Sequence, residues 1–136
     1  MTKPLRILPF IALSLLSFCV AAGIGGERKP FAFNFSLTTG DVFKSMGKAA
    51  HFESTALIMI FAILAVGHRR LRAAFVLTML VCIGWELFET TAAGHTARLA
   101  DLLPDLVSAL VTTLVIASTR YFVAQFTRFR RRPGFE

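Results

Sequence analysis

Apolar and polar positions along this chain fall in long blocks rather than in short alternating steps. Four runs are nearly free of charge: "LRILPFIALSLLSFCVAAGIG" (5–25), "AAHFESTALIMIFAILAVG" (49–67), "AAFVLTMLVCIGWELFETTAAG" (73–94) and "DLVSALVTTLVIASTRYFVAQF" (105–126). Each is 19–22 residues long, the length a helix needs to cross about 30 Å of hydrocarbon at about 1.5 Å per residue. Pro104 is tolerated only in a first helical turn, so the last span opens near Asp101 or Leu103 and is expected over 103–126. The pattern therefore predicts an all-α integral membrane protein with four transmembrane helices.

The connections are less definite. In the first, 26–48, Phe31, Phe33, Phe35 and Leu37 recur at period two, which permits a short strand or an aromatic segment lying in the interface. The stretch "DVFKSMGK" is compatible with a short interfacial helix capped by Thr39 or Asp41. The first run also carries signal-peptide features, with Lys3 and Arg6 ahead of an apolar core that ends in "VAAG". Its core is long for a cleaved signal, and no small residue stands just before Cys19 for lipoprotein processing, so an uncleaved helix is expected.

Composition agrees with a single membrane domain over 1–136: 55% of the 136 residues are hydrophobic and only 17% charged. Cys19 and Cys82 each sit inside an apolar run, so both read as buried small residues rather than as a disulfide or metal framework. The net charge of +7 raises the question of nucleic acid, and its distribution answers it. Lys3, Arg6, Arg69, Arg70, Arg72, Arg120, Arg128, Arg130, Arg131 and Arg132 all fall on one side of a four-span topology. By the positive-inside rule that side is cytoplasmic, and both termini lie there. The basic tail 127–136, with the aromatics before it, reads as a belt and anchor on anionic lipid headgroups, so membrane lipids are the expected partner and nucleic acid is not.

Seven of the eight acids then fall on the outer half. Glu86 lies thirteen residues past Ala73, about 20 Å along the third helix, and Glu89 shares its face one turn further out. A carboxylate at such a depth is expensive unless paired, protonated or in water, so this face must point into the bundle. Asp101, Asp105, Ser108 and Thr112 form one stripe on the fourth helix, with Asp101 also placed to act as an N-cap. Lys48, His51, Glu53 and Ser54 open the second helix on the same side. Lys48, Arg98, His51 and His95 are the available compensating groups. The expected site is an outward-facing polar pocket built from Lys48, His51, Glu86, Glu89, Arg98, Asp101 and Asp105. In it Arg98 and Lys48 act as counter-ions or phosphate-binding groups, Glu86 and Glu89 share protons, and Asp101 caps the helix or pairs with Arg98. The blander reading is an ionic latch that only fixes helix packing.

Carboxylates and His51 are metal-ligand types, but no HExxH, ExxH or cysteine cluster occurs and Arg98 opposes a cation, so neither a metal nor another cofactor is expected. Ser54 and Ser108 lack a triad, and serine commonly packs between membrane helices, so catalysis is not favoured.

These residues resemble a family pattern. Lys48 followed by His51 and Phe52, then Gly84, Glu86 and Glu89, then Arg98, Asp101, Asp105 and Ser108 are similar in order to the motifs of the VanZ-like membrane proteins, named for a teicoplanin-resistance determinant. The resemblance spans roughly 41–120, and the chain departs from the pattern with Glu89 for Gln, Asp105 for Asn and Ser108 for Gly, each of the first two adding an acid. It implies a multi-pass protein of the bacterial inner membrane and the cell envelope, acting on an amphiphilic or lipid-linked ligand at the outer leaflet. The rival reading is an accessory subunit of a larger membrane complex, with contact sites at small residues such as Gly67, Ala73 and Ala74.

Overall fold

The structure, a computed structural model, describes residues 3–23, 27–92 and 97–130. It contains five helices: α1 (Lys3–Gly23), α2 (Thr39–Met46), α3 (Ala49–Val66), α4 (Leu71–Glu89) and α5 (Leu102–Arg130), the last entered through a 3-10 turn at Leu99–Asp101. Four of them, all but α2, are long and apolar enough to cross a membrane. The all-α class and the four spans are as the hydropathy pattern predicts. Helices α3 and α4 pack on each other and on both remaining spans, while α1 and α5 flank them on opposite sides.

The core is small and lies between the spans. Phe10 of α1, Ile58, Met59, Ala62 and Ile63 of α3, and Ala74 and Val81 of α4 form its cluster. Small residues let the helices approach closely, as packing without a hydrophobic driving force requires. A Cβ added at Gly84 would stand 2.6 Å from Phe18 Cε1, so only glycine at this point of α4 leaves the α1 ring its place. Ala74 is wholly buried in this core, which removes it from the surface contacts expected of an accessory subunit. Two buried hydroxyls of the spans bond back to their own helices, Ser14 to the Phe10 carbonyl at 2.8 Å and Thr78 to the Ala74 carbonyl at 2.9 Å. The outward faces carry Leu15, Leu64, Leu80 and Leu114, each more than half exposed, a pattern suited to acyl chains rather than water. Cys19 is exposed on that surface, contrary to its expected burial, and Cys82 is buried.

One end of the bundle is tied together by the connections. The short helix that the sequence left open forms as α2, with Thr38 rather than Thr39 or Asp41 as its cap: the Thr38 Oγ1 accepts from the Asp41 N–H at 3.2 Å. Strand β1 (Phe33–Asn34) pairs in parallel with β2 (Ala97–Arg98), Phe33 opposite Ala97 and Asn34 opposite Arg98. The N–H groups of Lys29 and Ala32 donate to the carbonyls of Thr91 and Thr90. With those carbonyls engaged sideways, α4 stops at Glu89 instead of continuing to residue 94. At the other end Gly67, at φ 91°, lets the chain leave α3, and the Arg120 guanidinium donates to the His68 carbonyl at 2.5 Å. Beyond Arg120, α5 runs on to Arg130 rather than ending at 126.

Candidate functional site

The N-terminal turns of α3 and α5 and the last turns of α1 and α4 meet at the tied end, and the polar residues of the sequence gather there. Asp105 follows Pro104 in the first turn of α5, which faces α3. Its Oδ1 takes the Thr55 hydroxyl at 2.6 Å and lies 3.2 Å from His51 Nδ1. Thr55 is one turn below His51, so both groups reach the same carboxylate from one face of α3. A carboxylate on Nδ1 selects the tautomer that donates there and leaves Nε2 as an acceptor in the neutral ring. Ser108, one turn further along α5, donates to the Phe52 carbonyl at 2.7 Å and fixes the α3–α5 register.

Asp101 is almost fully buried and has both oxygens engaged, by Lys48 Nζ at 2.8 Å and by the Ser45 hydroxyl at 2.6 Å. It therefore ties the entry of α5 to α2 and to the start of α3. Neither expected role, helix cap or Arg98 partner, is the one it has. Arg98 is likewise placed differently: its backbone N–H donates to Glu86 Oε2 at 3.3 Å, while its guanidinium turns to Asp41 at 3.5 Å. The Asp41 carboxyl, outside the spans, is held below the usual carboxylate range chiefly by the Thr38 hydroxyl, then by that of Ser36, with the Arg98 charge adding to them.

Glu86 is 1% exposed and points into the bundle, as its depth demands. Its Oε1 is the buried polar side-chain atom without a hydrogen-bond partner among the described residues. Glu89 does not share a hydrogen bond with it and instead accepts from Trp85 Nε1 at 2.7 Å, an i, i+4 pair on α4. His95 lies outside the described residues.

Beside this network is a cavity of about 230 Å³. Ile58, Val81, Cys82 and the Trp85 ring form its apolar wall, and Ser17, His51, Ser54, Thr55, Glu89 and Asp105 form its polar one. Of the seven expected site residues, His51, Glu89 and Asp105 therefore line it. Lys48, Arg98 and Asp101 do not, because Lys48 and Asp101 pair with each other and Arg98 pairs with Asp41 of α2, and Glu86 sits outside the lining. The residues absent from the expectation are Asp41, Ser45, Thr55, Cys82 and Trp85. Thr55 and Trp85 were findable, each four positions from a named polar residue, whereas Ser45 and Asp41 depend on the path of the first connection. No group of three or more His, Cys, Asp or Glu side chains able to hold a metal occurs among the described residues.

No protein-family model matches the chain, and neither the curated proteins nor the solved structures contain a significant match. Fold and site together define the class: a multi-pass α-helical membrane protein with a part-polar cavity at one end of its bundle.

Proposed function

We propose that this is a VanZ-like protein of the bacterial inner membrane, with both termini cytoplasmic, whose cavity opens toward the outer leaflet and binds the head of an amphiphilic or lipid-linked ligand. The distribution of Lys and Arg supports the orientation, since Arg69, Arg70 and Arg72 lie at the end of the bundle opposite the cavity. The order of Lys48, His51, Gly84, Glu86, Arg98, Asp101 and Asp105 supports the family reading. The observation that carries the ligand reading is the cavity itself. An apolar wall and a polar wall meeting between four spans suit a molecule with a tail and a head, and a purely structural latch has no use for the space. At about 230 Å³ it accommodates a head and its first methylenes, with the remainder of a tail lying along the exposed helix faces.

Native mass spectrometry from nanodiscs tests this. A small amphiphile retained by the wild-type protein and lost in Ser54→Phe, which fills the cavity from its rim, is the expected result. A stoichiometric protein partner with no retained small molecule supports the second reading, an accessory subunit. That reading is favoured by one feature, the stretch of α5 past Arg120, where Tyr121, Phe122 and Val123 are all more than half exposed.

A further inference from the structure

The hydrogen-bonding capacity of the cavity wall is one-sided. Each hydroxyl that lines it directs its hydrogen elsewhere: Ser17 to the Leu13 carbonyl at 2.9 Å, Ser54 to the Ala50 carbonyl at 2.7 Å, and Thr55 to Asp105 at 2.6 Å. The Trp85 N–H is likewise engaged, by Glu89 at 2.7 Å. The Cys82 sulfur lies 3.5 Å from Thr55 Oγ1, whose own hydrogen goes to Asp105, so the thiol hydrogen is directed to that oxygen. What remains facing the space is mainly lone pairs, those of the hydroxyl oxygens and of the Glu89 and Asp105 carboxylates; His51 Nε2 accepts in the neutral ring and donates in the protonated one.

Charge points the same way. Of the cations of this end, Lys48 pairs with Asp101 and Arg98 with Asp41, while the Arg28 guanidinium donates to Thr91 Oγ1 and the Ala22 carbonyl. Glu89 has no cationic side chain within ion-pair distance among the described residues, and it stands on the cavity wall beside the Trp85 ring. An indole next to a carboxylate is a favourable setting for an ammonium, through the cation–π attraction and a charge-assisted hydrogen bond. An anionic head there meets two carboxylates and hydroxyl lone pairs, with a protonated His51 as the donor against them among the lining side chains.

The geometry points to a primary ammonium as the head group this cavity takes, held by Glu89 and Trp85 with the hydroxyl oxygens of Ser54 and Thr55 beside it. This rests on the cavity being a ligand site, as proposed above, and replaces the phosphate-binding role expected of Lys48 and Arg98. Such a head is carried either by a bilayer lipid with an ethanolamine group or by a free alkylamine-like amphiphile.

Trp85 is the chain's single tryptophan, so its emission reports the cavity directly. Octylamine, octanol and octyl phosphate at pH 7 are titrated into the full chain in phosphatidylcholine nanodiscs. Octylamine is expected to shift the emission saturably at concentrations at least tenfold lower than the other two. Glu89→Gln is expected to reduce that preference below threefold, while Glu53→Gln, which removes an exposed acid off the cavity, leaves it unchanged. Adding phosphatidylethanolamine to the nanodisc raises the octylamine midpoint if the lipid is the source of the head group and leaves it fixed if a free amine is. Saturation by octanol or octyl phosphate at or below the octylamine concentration overturns the ammonium assignment while leaving the cavity a ligand site. Failure of all three to saturate overturns the ligand site itself. The wild-type comparison needs no variant to fold.

Discussion

Lys48 and Asp101 differ in a way that fixes the outcome of removing each. The Lys48 side chain is 40% exposed and that of Asp101 is 4% exposed, so one partner reaches water and the other does not. Lys48→Met leaves a buried carboxylate with the Ser45 hydroxyl as its remaining partner. Breaking a buried pair this way costs about 3–5 kcal/mol, and water near a part-exposed ammonium site lowers that to about 2–3 kcal/mol. Asp101→Asn is milder, because the amide oxygen still accepts from Ser45 and Lys48 swings to solvent, giving about 1 kcal/mol. The double variant is expected to lose about as much as Asp101→Asn alone, since no charge is left stranded. At about 3–4 °C per kcal/mol for a chain of this size, thermal unfolding in dodecyl maltoside should show Tm falling by about 8 °C, about 3 °C and about 3 °C respectively. A fall for Lys48→Met no larger than for Asp101→Asn, or a double variant that sums the two losses, refutes the argument that this pair holds a buried charge.

Three further outcomes follow from other parts of the fold. With Cys19 and Cys82 replaced by alanine, a membrane-impermeant maleimide added to intact cells should label Leu37→Cys and leave Arg70→Cys unlabelled, because the two positions lie at opposite ends of the bundle; the reverse pattern inverts the topology. Gly84→Leu should destabilise by about 1–3 kcal/mol by overpacking against Phe18, and adding Phe18→Ala to it should restore part of the loss in the same thermal assay. The Asp41 carboxyl sits below its unfolded value of about 3.9, so its contribution to anchoring α2 is fully present above that pH and is lost as pH falls through its lower folded value. Hydrogen exchange of the α2 amides should therefore stay slow through pH 4 and accelerate only below it, with Asp41→Asn abolishing that dependence.

The spans were legible because lipid imposes a demand on every residue of a long window, and four windows meet it. The depth of Glu86 and the α5 stripe of Asp101, Asp105 and Ser108 were legible for the same reason: helical rise and periodicity place them without reference to any neighbour. What periodicity does not contain is which base meets which acid. Arg98 was expected on the α4–α5 carboxylates, yet the two-residue pairing of Phe33–Asn34 with Ala97–Arg98 brings the first connection alongside and offers Asp41 first. The end of α4 at Glu89 rather than 94 has the same origin, since the first connection takes the carbonyls of Thr90 and Thr91. Cys19 was misplaced because an apolar run does not say which of its faces meets lipid.

Latch and pocket were rival readings of one cluster, and the structure divides the cluster between them. Lys48, Asp101 and Ser45, with Arg98 and Asp41, join α2 and the connections to the bundle and line no space, so their removal acts on stability. Among the described residues the side-chain hydrogen bond of Glu89 is to Trp85 of its own helix, and Glu89 lines the cavity, so its removal breaks no side-chain hydrogen bond between helices. His51, Asp105 and Thr55 do both, bridging α3 to α5 while forming the polar wall. Substitutions in the first set and at Glu89 therefore separate folding from binding, and only the shared triplet confounds them. A Glu89→Gln protein that unfolds as readily as Lys48→Met would show that this division is false and that the acid on the cavity wall belongs to the latch after all.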